Sequence, residues 1–356
     1  MKILHLAAGN RWTGAAAPAF AEVEALRETG VDAHYAYVGG YKLQAKLAHR
    51  GFAHPVIAKA QNPISFLRTV ATLEGMVREH GFDIVHAHLT YDHWLARFVS
   101  RGMRGVQLAR TFHSARTLRN EPLTRSLLAH TDAVFVVNEE LATAPLLRER
   151  EVTVTPPPLD TDQFSPEGED MRATYGIAAA APVLVFIGKM SKGRGFEAAL
   201  ETFTLVRRAR HDARLLIIGH GEHRPALEAL SRSLGVADAV IWAGYHEDDL
   251  AKHYRSADVL LFTAAGSDEG HRAVIEAMGC GVGPATYPIE GMCAILGDLA
   301  SRHVAPASTP EALASVALNV LATDRNLLRG EVNRRSAVFS YTNAARRLVH
   351  AYSTLL

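Results

Sequence analysis

Short apolar runs recur along the chain, and each is followed by a turn and an amphipathic segment. In the second half, three runs rich in β-branched residues lie at 183–187, 215–218 and 259–262. In the first half, similar runs lie near 2–7, 33–38, 84–88, 106–111, 133–137 and 152–155. Apolar runs that alternate with helical periodicity are typical of parallel strands joined by crossover helices. The pattern therefore predicts two α/β halves, each built on a parallel sheet.

Helical periodicity follows the first strand and returns near the end of the chain. It predicts helices over 15–27, 310–321, 324–338 and 341–355. Periodicity breaks at Pro156, Pro157 and Pro158, where adjacent prolines favour a stiff, extended connection. We therefore place a domain boundary there, with a first domain over residues 1–160 and a second over residues 170–340.

Composition limits the classes of function. A chain of 356 residues with 48% hydrophobic content can support two domains, each with its own core. A formal net charge of +1 argues against a general nucleic-acid binder. Two cysteines, Cys280 and Cys293, are too few for a disulfide framework and favour a reducing, cytoplasmic setting. No apolar run reaches the roughly 18 residues that span a bilayer, so any membrane contact is expected to be peripheral.

Charged residues follow the strands of the second half, at the end of the sheet where α/β proteins bind ligands. Lys189 and Arg194 come after the run at 183–187, and Asp268 and Glu276 come after the run at 259–262. Fixed cations at this end of a sheet can stabilise a ligand or a leaving group that carries negative charge. The alternative interpretation of the two cations is a solvated surface.

The segment GSDEGHRAVIEAMGCG predicts a loop that opens into a helix at about His271. Free N–H groups at the start of a helix favour a phosphate or sugar hydroxyls. Capping by Ser267, Asp268 and Glu269 would explain the same residues without a ligand. Glu276 lies among apolar neighbours inside the helix, where an unpaired carboxylate would be costly, so a hydroxyl-rich partner is expected.

At these positions the chain resembles the family-4 glycosyltransferases of GT-B fold. That family has an Arg and a Lys five residues apart after one strand, and Lys189 and Arg194 keep this spacing with the two types exchanged. Its Glu-x7-Glu element is similar to the stretch from Asp268 to Glu276, with Asp in first place. Upstream, GNRWTGAAAPAF resembles its N-terminal glycine loop, DIVHAH and ARTFHS its middle strands, and PPPLDTDQFSP its interdomain segment.

The resemblance implies a fold and a reaction. The fold is α/β GT-B: two Rossmann-like domains that face each other across a cleft, with a C-terminal helix, within residues 341–356, that packs back on the first. The reaction is retaining transfer from a UDP- or GDP-sugar to a hydroxyl acceptor on a glycan or glycolipid, as in polysaccharide or lipopolysaccharide biosynthesis. The leaving diphosphate can accept the acceptor's proton, so neither a strong base nor a metal or other cofactor is expected.

The resemblance also implies roles for single residues. Lys189 and Arg194 would stabilise the departing diphosphate, and His113 would border the reaction centre. Asp268 would orient the donor sugar, with Glu269 as the alternative in that role. The remaining donor contacts are expected at Gly14, Gly188, Tyr245, Gly270, His271, Arg272, Ala273 and Glu276, the last of them on the ribose.

Three other motifs have competing interpretations. His86 and His88 alternate on one face of a strand, as a metal pair could, but no third ligand lies in similar register, so no metal site is expected. Residues 160–162, Asp-Thr-Asp, mimic an acidic metal triplet but coincide with the linker. Gly219 and Gly221 have no third glycine after them, so a dinucleotide fingerprint is absent.

An arginine cluster lies between residues 97 and 125 and contains one acidic residue, Glu121. It could bind an acidic acceptor or the anionic inner face of a membrane. Ordinary solvated arginines are the alternative, because no strongly amphipathic segment is evident beside them. The members are Arg97, Arg101, Arg104, Arg110, Arg116, Arg119 and Arg125.

Other classes of function also remain open. A nucleotide-sugar epimerase or a phosphorylase shares this architecture, although no phosphorylase cofactor lysine can be recognised. A non-catalytic nucleotide-sugar-binding protein is favoured by GVGPATYPIEG, which replaces a family loop of Gly-Val-Pro-Val-Val type. Retention of Lys189, Arg194 and Glu276 favours a working transferase.

Overall fold

A computed structural model of the chain describes residues 1–9, 15–59, 62–264 and 269–356. These residues form two compact units. Of the described residues, those within 1–158, 269–270 and 339–356 belong to the first unit, and the others belong to the second. The first unit therefore takes in the C-terminal end of the chain.

A seven-stranded sheet forms the centre of the first unit. Its strands are β1 (Lys2–Ala7), β2 (Asp32–Val38), β3 (Ala53–Ile57), β4 (Ile84–Ala87), β5 (Gln107–Phe112), β6 (Ala133–Val136) and β7 (Val152–Val154). The order is β3-β2-β1-β4-β5-β6-β7, and every pairing is parallel. The carboxyl ends of the strands therefore meet at one edge of the sheet.

Helices pack on both faces of this sheet. They are α1 (Ala16–Glu28), α2 (Lys42–Leu47), α3 (Pro63–His80), α4 (Thr90–Arg101), α5 (Pro122–Leu128) and α6 (Glu139–Ala142). The alternation of side chains along β1 divides the core: Ile3 and Ala7 join the apolar cluster that contains α1 residues, whereas Leu4 and Leu6 join the one that contains α3 and α4 residues. The His5 side chain lies on the same face of β1 as that of Ile3, so it is on the side of the sheet that α1 covers.

The second unit has a five-stranded parallel sheet. Its strands are β8 (Val183–Ile187), β9 (Arg214–Ile218), β10 (Val240–Gly244), β11 (Val259–Phe262) and β12 (Gly283–Thr286). The order is β10-β9-β8-β11-β12. The helices are α7 (Phe196–Ala209), α8 (Arg224–Ser233), α9 (Leu250–Arg255), α10 (Arg272–Gly279), α11 (Met292–Leu296), α12 (Ala300–His303), α13 (Pro310–Ala322) and α14 (Arg325–Ser336).

The last helix, α15 (Tyr341–Ser353), packs on α1 within the first unit. Ala345, Leu348 and Tyr352 are buried there, in the same apolar cluster as Ala19 and Val23. The chain thus contributes a helix from each of its ends to one core. Among the described helices, none is both long and apolar enough to cross a membrane.

Three strands were not predicted from the sequence: β3, β10 and β12. All three lie at an edge of their sheets. An edge strand pairs on one side only, so it tolerates Pro55 in β3 and Pro284 in β12, which a central strand would exclude. These proline-containing segments therefore lack the β-branched runs that mark the central strands.

Candidate active site

The two predicted cations of the second unit lie in the loop between β8 and α7. Lys189 is exposed and Arg194 is half-buried. The loop ends at Gly195, whose φ of 77° is the left-handed region that favours glycine. The Thr263 hydroxyl donates to the Gly195 carbonyl oxygen at 2.8 Å, and a Cβ on Gly195 would overlap that hydroxyl. The cation loop is therefore held against the end of the neighbouring strand β11.

The same loop is packed backbone to backbone against the loop that follows β9. Met190 N–H donates to the carbonyl oxygen of His220 at 2.9 Å. A Cβ on Gly219 would overlap the carbonyl oxygen of Gly188, and one on Gly221 would overlap that of Met190. The Gly-x-Gly pair is thus required for close packing of two site loops, which accounts for it without a dinucleotide.

His271 stands at the N-cap of α10 with strained backbone. Its φ of 53° and ψ of 40° make it the one non-glycine residue with positive φ among the residues described. Strain of this kind concentrates at ligand-binding sites. The imidazole is buried, and its Nε2–H donates to the carbonyl oxygen of Glu290 at 2.5 Å. Nδ1 is left as an acceptor, and no hydrogen-bond partner for it occurs in the described part of the chain.

Glu276 is buried in the second turn of α10, with 5% of its surface exposed. Its Oε2 accepts a hydrogen bond from the Tyr254 hydroxyl at 3.2 Å, and its Oε1 lies 3.4 Å from Nε of Arg272. The carboxylate thus has a hydroxyl and a cation beside it within the chain, and its contact with a ribose stays a prediction. Two polar neighbours already compensate its burial, so burial alone does not require a ligand there.

The remaining donor positions of the second unit lie near the carboxyl ends of its strands. Tyr245 follows β10, is 52% exposed, and donates from its hydroxyl to Glu247 at 2.6 Å. Its ring meets that of His220 edge to face, with centroids 5.0 Å apart. Gly188 and Ala273 are half-buried. Sequence patterns did not single out His220, because one histidine after a glycine carries no periodic signal.

Two predicted site residues, Gly14 and Asp268, lie outside the described residues. Asp160 accepts hydrogen bonds from the backbone N–H groups of Asp162 and Gln163, at 3.0 Å and 2.9 Å. This is a local turn, and it accounts for the acidic triplet at the linker.

In the first unit, His113 follows β5 and is buried. Its carbonyl oxygen accepts a hydrogen bond from the N–H of Glu269 at 2.9 Å. The Glu269 carboxylate in turn accepts from the Ser114 hydroxyl at 2.8 Å and from Ala115 N–H at 3.2 Å. Asn138 Nδ2 donates to the Glu269 carbonyl oxygen at 3.0 Å. These contacts hold Glu269 against the loops after β5 and β6. Gly270, the next residue, is buried.

The first unit also buries three histidines near His113: His5, His86 and His88. His86 and His88 have His5 and Glu22 beside them, and one ligand-type atom of each lies within 4.8 Å of the others. The expectation that no third ligand lies near the histidine pair was therefore wrong. Burial lowers the pKa of His5 to about 3 and lowers the pKa values of His86 and His88 well below the usual value. All three imidazoles are neutral at pH 7.

The arginine cluster is not wholly a surface feature. Arg110 lies on β5 with 1% of its surface exposed, and its guanidinium sits 4.7 Å from the ring centre of Phe112. Burial lowers its pKa to about 10, against the opposing effect of Asp92. Arg110 therefore cannot meet a membrane or an acceptor, and its inclusion in the cluster was wrong.

Two of the other arginines have an exposed aromatic neighbour. Arg97 and Arg101 of α4 line a surface cavity together with Phe98 and with α5 residues. The ring of Phe98 lies 5.3 Å from that of Phe66 on α3. We use the name basic apolar surface for seven exposed side chains on α3, on α4 and the turn after it, and on α5: Ile64, Leu67, Phe98, Arg101, Arg104, Leu123 and Arg125. Its apolar members were not predicted from the sequence.

Two parallel-sheet α/β units, with cations and a helix start at the strand ends of the second, have the architecture of the GT-B fold. Residues 12–163 match the family model described as Glycosyltransferase Family 4. Residues 181–323 match the model described as Glycosyl transferases group 1. The chain belongs to the family-4 glycosyltransferases.

Individual relatives agree with this assignment. D-inositol 3-phosphate glycosyltransferase of Segniliparus rotundus is 27% identical over 272 residues, which cover 68% of this chain and 59% of the relative. The protein of the same description from Corynebacterium urealyticum is 25% identical over 336 residues. The match covers 84% of this chain and 78% of that relative. The structure of Anabaena Alr3699/HepE in complex with UDP has a TM-score of 0.83 at 14% identity, with 99% and 100% of the two chains covered.

Proposed function

We propose that this protein is a retaining glycosyltransferase that moves a sugar from a nucleotide diphosphate donor to a hydroxyl acceptor without a metal ion. One observation carries the proposal. The loop with Lys189 and Arg194 is fixed by Thr263 at the end of β11, and the next helix along the chain from β11 is α10. Two fixed cations and a helix N-terminus thus follow neighbouring strands of one sheet.

These groups suit a departing diphosphate. Lys189 and Arg194 supply positive charge, and the first N–H groups of α10 favour an anion. Protein groups can therefore stabilise the developing charge themselves. We accordingly propose that no metal or other cofactor takes part, and that the leaving diphosphate accepts the acceptor's proton.

Other residues of the second unit suit the rest of the donor. Glu276 offers carboxylate oxygens for ribose hydroxyls, and Nδ1 of His271 can accept a hydrogen bond from another hydroxyl. Both oxygens of Glu269 are already occupied by Ser114 and Ala115, which favours Asp268 as the acid that orients the sugar. His113 is proposed to border the reaction centre. The UDP complex of the structural neighbour makes UDP-sugars the first donors to test.

The acceptor is proposed to be lipid-linked and reached at an anionic membrane face. The basic apolar surface combines cations, which attract anionic headgroups, with exposed apolar side chains that can enter the interface. Contact of this kind would be peripheral and cytoplasmic.

The decisive experiment has two stages. Thermal shift with UDP, GDP and other nucleoside diphosphates identifies the base, since a ligand at 100 times its dissociation constant adds about 2.7 kcal/mol of stability. Transfer from the matching sugar nucleotide to lipid extracts is then followed with and without EDTA. Transfer that survives EDTA and keeps the anomeric configuration is expected. Interconversion of the sugar without an acceptor would indicate an epimerase, and binding without turnover would indicate a sensor.

A further inference from the structure

Six buried side chains of the first unit are joined by hydrogen bonds in one line that ends at His113. We call this line the histidine chain; its members, in order, are Thr111, His86, Tyr352, His5, His88 and His113. The successive contacts are Thr111 Oγ1 to His86 Nε2 at 2.7 Å, His86 Nδ1 to Tyr352 OH at 2.5 Å, Tyr352 OH to His5 Nε2 at 3.4 Å, His5 Nδ1 to His88 Nε2 at 2.9 Å, and His88 Nδ1 to His113 Nε2 at 3.1 Å.

Each of the three internal histidines uses one ring nitrogen for each of its two neighbours. A neutral imidazole carries one N–H donor and one bare acceptor nitrogen. If one nitrogen donates, the other must accept, so the hydrogen bonds on the two sides of each ring run in the same direction. A reversal at any ring would set two protons or two lone pairs against each other. The direction can change only at Tyr352, whose hydroxyl can accept from both neighbouring rings or donate to one of them. The His5 proton therefore lies on Nε2 unless Tyr352 donates to His5.

The distances at Tyr352 indicate the ring to which it donates. Its oxygen lies 2.5 Å from Nδ1 of His86 and 3.4 Å from Nε2 of His5, so the nearer ring receives the O–H. Tyr352 therefore donates to His86, and its oxygen can only accept from His5, which places the His5 proton on Nε2. Glu22 does not select a direction, because its Oε2 lies 3.7 Å from Nδ1 of His5 and 3.7 Å from Nε2 of His88.

We propose that the histidine chain fixes the tautomer of His113, with the proton on Nε2 donated to His88 and Nδ1 kept as an acceptor. With the His5 proton on Nε2, its Nδ1 must accept from His88, whose Nδ1 must then accept from His113. Tyr352, His5 and His88 are positioning residues that act through His113. The catalytic consequence rests on the proposed function, in which a His113 ring of fixed tautomer borders the reaction centre.

Nuclear magnetic resonance of protein with nitrogen-15 histidine tests the tautomer without any substrate. In the wild type, the ring shifts of His113 should be those of the Nε2–H form. Tyr352→Phe removes the selecting hydroxyl, and His113 should then populate both tautomers. Tyr35→Phe is the matched control, since Tyr35 is also fully buried in this unit but donates to the carbonyl oxygen of Ala16. An Nδ1–H tautomer in the wild type, or an unchanged His113 in Tyr352→Phe, overturns the proposal.

A substitution of His88 separates positioning from packing. Asn places an amide near the Nδ1 position of histidine and keeps a partner for His113, but it loses the contact with His5, and an amide can either donate or accept. His88→Asn should therefore let His113 populate both tautomers and lower kcat at least about twofold with the donor KM unchanged. A single Nε2–H tautomer of His113 in His88→Asn would overturn the proposal.

The two proposals fail in distinguishable ways. Absence of sugar transfer by the wild type would refute the proposed function, while the His113 spectrum would still decide the tautomer. Elemental analysis of the purified protein adds a separate check. About one equivalent of a transition metal, lost in Glu22→Gln, would mean that an ion replaces the proton between His5 and His88, and would overturn the histidine chain.

Discussion

The Thr263 hydroxyl donates a hydrogen bond to the carbonyl oxygen of Gly195 at 2.8 Å, and this contact joins β11 to the loop that carries both candidate cations. A side chain at Gly195 would displace Thr263, whereas a Cβ at Gly193 would meet no atom within 4 Å. Both glycines have positive φ, 77° and 78°. The two glycines therefore have the same backbone strain, and they differ only in the room available for a side chain.

Gly195→Ala is expected to lower turnover at least about tenfold, because the overlap moves a loop whose charges must be fixed. Gly193→Ala shares the cost of positive φ, of order 1 kcal/mol, and should keep most activity. Steady-state kinetics and thermal melts of the two variants make the comparison. Equal activity in both would show that the Thr263 contact does not hold the cations in place.

Lys189→Ala and Arg194→Ala should each lower kcat by about 10² to 10³ fold, since each removes charge that stabilises the leaving diphosphate. Lys192→Ala is the control, because Lys192 is an exposed lysine of the same loop. Circular dichroism should show all three variants folded. Near-normal kcat in both Lys189→Ala and Arg194→Ala would refute the assigned roles.

Glu276→Gln should weaken binding of the nucleoside diphosphate about tenfold, or about 1.4 kcal/mol, because a neutral amide accepts ribose hydroxyls less strongly. The substitution also removes the charge facing Arg272. Glu228→Gln controls for this effect, since Arg224 and Glu228 form another Arg–Glu pair four residues apart, at 2.7 Å. Titration calorimetry measures both variants, and equal affinity would assign Glu276 a structural role only.

Some of this structure could be predicted from the sequence residue by residue. The bounds of β1, β8 and β11 follow from continuous apolar runs that end abruptly, because central parallel strands are buried on both faces. The edge strands β3 and β12 could not be found in this way. Their prolines and small side chains fit one-sided pairing, and no periodic signal marks them.

Contacts between distant parts of the chain also could not be predicted from sequence patterns. The spacing of His86 and His88 indicates that they share one face of a strand. Their neighbours come from three other elements: His5 from β1, Glu22 from α1 and Tyr352 from α15. Only the packing of the two terminal helices on one sheet brings them together. Arg110 shows the converse, since its position in a charged stretch suggested exposure. It lies on β5, a central strand that is buried on both faces.

The free energy of unfolding should fall as pH is lowered from about 6.5 towards 4, in part through a histidine pair at the sheet edge. Nδ1 of His34 lies 2.8 Å from Nε2 of His54. Burial lowers the pKa of His54 from 6.5 to about 4 and lowers that of His34, although Asp32 opposes the shift at His34. The folded pair stays neutral where the unfolded chain takes up protons, so its contribution is complete above pH 6.5 and is lost as pH falls.

His54→Gln keeps an amide near Nε2 and removes the titration, so stability should depend less on pH between 6.5 and 4. Urea unfolding at pH 7.5 and pH 5 measures the difference in each protein. His49→Gln, at an exposed histidine near the same strands, should leave the wild-type pH dependence unchanged. Identical dependence in His54→Gln and the wild type would contradict the role given to this pair.

Membrane docking through the basic apolar surface predicts two separable effects. Replacing Arg101, Arg104 and Arg125 with Gln should weaken binding to anionic vesicles by about fivefold per arginine at low salt, since each contributes about 1 kcal/mol near the surface. Replacing Leu67 and Phe98 with Ser should weaken binding without changing its salt dependence, because apolar burial is not screened.

Cosedimentation with vesicles at low and physiological ionic strength tests both effects. Replacing Arg208, Arg232 and Arg334 with Gln is the control, because these exposed arginines of the second unit give the same change in net charge. The control should bind vesicles like the wild type, and every variant should keep its affinity for the nucleotide. Equal binding of the wild type to neutral and anionic vesicles, with unchanged acceptor kinetics in the Arg101, Arg104 and Arg125 variant, would instead favour a soluble acceptor.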